Sequence, residues 1–245
     1  MDQFRGAMDV GFVSMALNGI GTLGLMSPAG SADHKREAGS YGSVHVSDRL
    51  TQHRPLAAGE TFVVRSAASE SVETPKGTLS TTPYTVVDSG GEVVVEVERN
   101  GLNLKPAPPS ADSAAAKPPS ADPKDGREFI SSVTFTPDMV AGYCYFVTNR
   151  IHNELDVAQK FGYRLPIWAG TQGFHLTLAH LYSFGNPATL TALFELKRPV
   201  FWTDTLELWF GQAEGETVGV GDYALVNQET GKLCMSMTVE AVSYV

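Results

Sequence analysis

The chain has 245 residues, 42% of them hydrophobic, which is enough to bury one large core or two of ordinary size. Its formal charge of -9, from 18 basic and 27 acidic residues with no basic cluster, argues against nucleic acid or an anionic membrane surface as a partner. The 2 cysteines, Cys144 and Cys234, have no paired spacing and sit in apolar surroundings, so neither a disulfide framework nor a metal site is expected, and a reducing cytoplasm is the simplest setting.

Val10 to Met26 is apolar and Gly-rich, and Asp2 and Asp9 on its charged side with no Ala-x-Ala site beyond it favour a buried helix over a signal peptide. Three glycines, Gly19, Gly21 and Gly24, weaken a membrane span, and Pro28 and Gly30 follow where a dinucleotide fingerprint needs a helix. Residues 27–42 read as a loop. Val44–Leu50, Thr61–Ser66, Leu79–Asp88 and Glu92–Glu98 then read as strands, predicting a helix followed by a four-strand antiparallel meander. A Pro/Ala-rich stretch, 105–127, cannot bury a core and predicts a flexible linker between an N-terminal unit, 1–104, and a C-terminal unit, 128–245.

In the second unit a strand over 131–136 precedes Thr136-Pro137-Asp138, an N-cap with Pro at the first helical position, so a helix is predicted from Pro137 to about Thr148. A loop carrying His152 follows, then a short helix over 155–161, a central helix from Gly170 to Tyr182, and strands near 189–198, 204–212, 218–227 and 232–243. Two blocks recur between the units. His53-Arg54-Pro55-Leu56 with Gly59-Glu60-Thr61-Phe62 matches Lys197-Arg198-Pro199-Val200 with Thr203-Asp204-Thr205-Leu206, and the turn at Asp88–Gly91 matches that at Gln228–Gly231. The repeat predicts two copies of one plan, each an antiparallel sheet wrapped on a helix, joined edge to edge so that each hides a strand edge of the other.

The stretch Asn149 to Phe174 sets a histidine beside an asparagine on a loop and starts an apolar helix at Gly170. The unpaired N–H groups of that helix start would polarise a carbonyl, and a histidine held opposite would move a proton on the neighbouring carbon. Here the sequence resembles the MaoC-like (R)-specific enoyl-CoA hydratases and dehydratases, whose motif reads Asp-x-Asn-Pro-Ile/Leu-His, then Ala-x-x-x-Gly-Phe, Pro-Ile and a Gly opening the central helix. Asn149, Ile151, His152, Ala158, Gly162, Tyr163, Pro166, Ile167 and Gly170 fall on it with its spacing. Arg150 stands in place of Pro, Ala169 in place of a frequent His, and Val147 in place of the catalytic Asp.

The resemblance implies an α+β double hot-dog fold of two antiparallel sheets, with a degenerate N-terminal half and the His motif in the C-terminal half. It implies a lyase adding or removing water across the α,β bond of an acyl-CoA or acyl-carrier-protein thioester. His152 would be the acid/base, Asn149 its orienting partner, and Gly170 and Thr171 the thioester-binding amides, with Val147, Arg150, Trp168 and Phe174 along the pocket. No cofactor beyond the coenzyme A of the substrate and no metal is implied, and a homodimer or a heteromeric partner is expected. Because Val147 cannot handle a proton, two rivals stay open: a degenerate acyl-CoA-binding accessory subunit and a hot-dog thioesterase.

Overall fold

The structure is a computed structural model that describes residues 7–8, 10, 13, 43–104, 121–144, 150–160 and 162–245. Among the described residues, strand β1 (Ala7–Met8) pairs only with β3 (Leu56–Ala57). The remaining strands are β2 (Ser43–Gln52), β4 (Val63–Ser66), β5 (Glu70–Thr74), β6 (Gly77–Val87), β7 (Val93–Leu104), β8 (Glu128–Thr134), β9 (Pro187–Leu196), β10 (Thr205–Gln212), β11 (Gly221–Asn227) and β12 (Leu233–Tyr244). They form a single antiparallel sheet in the order β4-β6-β7-β2-β9-β12-β11-β10-β8, with β5 paired to β6.

The expected pair of sheets is therefore one continuous sheet. Its join is β2 against β9, running from Ser47 opposite Glu195 to Gln52 opposite Leu190. Period-two burial places Asp48, Leu50 and Gln52 on one face of β2, and Leu190, Ala192 and Phe194 on the same face of β9. The expected meander in the first unit is also corrected: β2 lies between β7 and β9, while β4 lies beyond β6. A central position leaves neither edge of β2 exposed.

The two repeated blocks occupy matching places. Each first block follows a joining strand, β2 or β9, and turns through a residue with positive φ, Gly59 at 90° and Thr203 at 70°. The turn is closed in both copies by the next residue, Glu60 N–H to Ala57 at 3.3 Å and Asp204 N–H to Phe201 at 3.1 Å. The second blocks join β6 to β7 and β11 to β12.

Helix α1 (Pro137–Tyr143) starts as its cap predicts, Thr136 Oγ1 accepting from Met139 N–H at 3.3 Å. A 3-10 turn (Arg150–His152), helix α2 (Leu155–Lys160) and helix α3 (Gly170–Tyr182) follow. Helix α3 lies over β9 and β12 and buries Phe174, Leu178 and Leu181 in the core. The predicted N-terminal helix and loop, 10–42, fall outside the described residues except for Val10 and Val13, both buried. Val10 N–H donates to the Tyr182 hydroxyl at 3.2 Å, fastening the N-terminal unit to the far end of α3. Residues 121–127, the end of the Pro/Ala-rich stretch, form turns in which Lys124 pairs with Glu207 at 2.6 Å and sits 5.0 Å over the Trp209 ring.

Candidate active site

The segment before α3 is held from both sides. Ile167 N–H donates to Ile151 at 3.2 Å, Trp168 N–H to Val200 at 2.8 Å, and Trp202 N–H to Pro166 at 3.0 Å. This lattice carries His152, which is 9% exposed, with its Nδ1 2.8 Å from the Ile167 carbonyl and its own carbonyl accepting from Trp202 Nε1 at 3.1 Å. A carbonyl only accepts, so Nδ1 carries the proton and Nε2 is the basic nitrogen of the neutral ring. Burial pushes the imidazole below the usual histidine range, against the opposing pull of the Ile167 hydrogen bond.

Helix α3 begins without a side-chain cap. Ala169 N–H is taken by Gln172 Oε1 at 3.0 Å, and Gln172 N–H returns to Ala169 at 2.9 Å. The Gly170 and Thr171 N–H groups, in the first turn, have no intrahelical acceptor. Both residues line a small pocket shared, among the described residues, with His45, Ser47, Asp48, Phe174, Phe194 and Leu196. Thr171 is 2% exposed and its hydroxyl has no hydrogen-bond partner among the described residues. A buried hydroxyl left unpaired costs on the order of 1–3 kcal/mol, which a polar ligand atom would recover. A Cβ on Gly170 would meet Leu196 Cδ1, the end of a flexible side chain that would have to shift to admit it.

The pocket's far wall comes from the N-terminal half, and no motif pointed to it. His45 Nε2–H donates to Asp48 Oδ1 at 2.8 Å; Arg99 grips the same carboxylate, Nε to Oδ1 at 2.9 Å and a terminal nitrogen to Oδ2 at 2.7 Å. Asp48 is 1% exposed. Burial pushes its carboxyl up, but His45 and Arg99 overrule that and hold it well below the usual carboxylate range. A bulge in the β2–β7 ladder between His45 and Ser47 puts His45 on the same face as Asp48, three residues on. The one trace of this wall in the sequence is period two along β2, which puts Asp48 on the face that buries Leu50.

The sequence-derived site residues divide accordingly. Gly170, Thr171 and Phe174 line the pocket, and the Phe174 ring meets Phe194 edge-on at 3.6 Å. His152 is anchored to Ile167, three residues ahead of the helix, and is not among the lining residues. Trp168 is buried against Phe135, centroids 4.4 Å apart, rather than lining the pocket. Arg150 is exposed and paired with Glu154. Asn149 and Val147 lie outside the described residues. Burial pushes the Cys144 thiol up to about 11, opposed by the Ala169 backbone, so it is not a thiolate nucleophile near neutral pH. Among the described residues no three His, Cys, Asp or Glu side chains gather as a metal site would require, and no helix is long and apolar enough to cross a membrane.

No protein-family model matches the chain, and no curated protein is significantly similar to it. Solved structures are similar along nearly its whole length. HtdX from Mycobacterium tuberculosis aligns over 93% of this chain and 87% of its own at 23% identity, with a TM-score of 0.71. Another Mycobacterium tuberculosis protein, described as having a double hotdog fold, aligns over 95% of this chain and 81% of its own at 16% identity, TM-score 0.56. The chain is a double hot dog. A MaoC-like dehydratase from Phytophthora capsici shares the fold too, over 87% of this chain and 75% of its own, at 17% identity and a TM-score of 0.64. As a double hot dog, the chain joins its halves at β2 and β9 and sets the start of α3 against that seam.

Proposed function

We propose that the chain is an acyl-thioester hydratase or dehydratase acting on an acyl-CoA or acyl-carrier-protein substrate. The observation that carries this reading is the pocket at the start of α3, lined by Gly170, Thr171, Phe174 and Phe194, with the Thr171 hydroxyl buried and without a partner among the described residues. The Gly170 and Thr171 amides would donate to the thioester oxygen and stabilise the enolate that forms when water adds at the β carbon. His152, anchored at Ile167 outside the pocket's lining residues and in the tautomer with a basic Nε2, is assigned the proton from that water, with Asn149 orienting the substrate. The fold's recurrence in a MaoC-like dehydratase supports the same class. A dimer of chains remains part of the proposal.

The test is hydration of crotonyl-CoA and longer enoyl-CoA esters by the purified chain against His152→Ala. Turnover should fall by about two to four orders of magnitude in the variant. Tight acyl-CoA binding with no turnover would instead favour an accessory subunit. Release of free coenzyme A would favour a thioesterase.

A further inference from the structure

The motif's acidic partner is replaced by Val147, which leaves a hydratase one proton-handling group short. The pocket contains a group of that kind. We propose that His45, supplied by the N-terminal half and held by Asp48 and Arg99, is a second acid/base residue of the α3 pocket, acting on the α carbon of the bound thioester. This inference rests on the thioester reading of the site and assigns one of its chemical roles.

The geometry is that of an oriented imidazole. Asp48 stays a carboxylate and accepts from His45 Nε2, so Nδ1 is the nitrogen it leaves untaken, on a residue that lines the pocket. His45 is 24% exposed in its side chain, and its Nδ1 has no hydrogen bond to a described residue. Arg99 fixes the carboxylate through two hydrogen bonds and is itself 14% exposed. A carboxylate and a guanidinium on the face of a sheet that buries Leu50 and Val97 are costly to desolvate, so a purely structural assignment explains them poorly. His45 lines the same pocket as Gly170 and Thr171.

In hydration, the water O–H bond breaks as its oxygen bonds to the β carbon, and His152 Nε2 takes that proton. The C=C pair moves to the α carbon and the thioester oxygen, held by the α3 amides. Protonated His45 gives its Nδ1 proton to the α carbon. The two imidazoles then re-equilibrate with solvent, His152 losing one proton and His45 gaining one, so that water has been added overall. Asp48 and Arg99 are positioning residues that act through His45.

The experiment compares wild-type chain, His45→Gln and Asp48→Asn with crotonyl-CoA, measuring kcat and KM separately, with circular dichroism as the folding control. The proposal expects kcat to fall by about two to four orders of magnitude in His45→Gln with KM changed only a few-fold. It expects Asp48→Asn to lower kcat in the same sense without loss of acyl-CoA binding. His45→Gln turning over at the wild-type rate overturns the proposal while leaving the hydratase reading intact. Wild-type chain that neither binds nor turns over the ester overturns both. Should the variants not fold, the His45 Cε1–H signal in the wild-type chain must shift on adding crotonyl-CoA; an unmoved signal overturns the assignment.

Discussion

His152 and Thr203 both occupy environments that their chemistry makes testable. The buried His152 imidazole has its basicity lowered, so the unfolded chain binds a proton more readily than the folded one. That ring contributes its full stability above the unfolded histidine range of about pH 6.5 and loses it as pH falls below. Urea unfolding from pH 7 to pH 5 should therefore show a loss of stability that His152→Gln lacks. Thr203, a β-branched residue at φ 70°, stands where the first copy of the repeat has Gly59. Thr203→Gly should raise stability by about 1 kcal/mol by relieving that conformation, read as a higher urea midpoint at unchanged slope. The sequence disclosed His152, Gly170 and Thr171 because local spacing carries them. It did not disclose His45, Asp48 and Arg99 as a cluster, because 51 residues separate Asp48 from Arg99 and only the adjacency of β2 and β7 brings them together.

At the scale of elements, the central helix was legible from end to end, while α2 and the strands of the second half were legible in kind and place, with bounds that differ by a few residues. Strand β5 was missed: Glu70–Thr74 is exposed along most of its length and has no apolar alternation to betray it. The order of the first-half strands was missed for a different reason. Local pattern gives a strand's existence, whereas the chain's crossing after β2 to the far edge is fixed by burying β2 between β7 and β9. The Asp48–Arg99 pair beside that join gives an element-scale prediction. Removing one partner alone, as in Arg99→Ala, leaves a buried carboxylate with less compensation and should cost about 3–5 kcal/mol. Asp48→Leu with Arg99→Leu should cost much less than the sum of the single losses, a coupling that a double-mutant cycle measures.

At the scale of the molecule, the continuous sheet makes the halves interdependent. Residues 128–245 alone would expose the whole β9 edge from Leu190 to Glu195 and lose the wall formed by His45, Ser47 and Asp48. That fragment should self-associate through the bare edge, seen as a dimer or larger species in light scattering, and should not turn over enoyl-CoA. The internal repeat announced this join in outline, because two copies of one sheet have an edge to hide. What it did not announce is that the seam also brings chemistry from the degenerate half into the pocket. The central claim is that an acyl thioester sits at the start of α3, and a crystal structure with a non-reactive enoyl-CoA analogue tests it most directly. The account predicts the thioester oxygen about 3 Å from the Gly170 or Thr171 amide nitrogen, with His45 and Phe174 against the acyl group. An analogue bound elsewhere, with those amides still facing solvent, would contradict it.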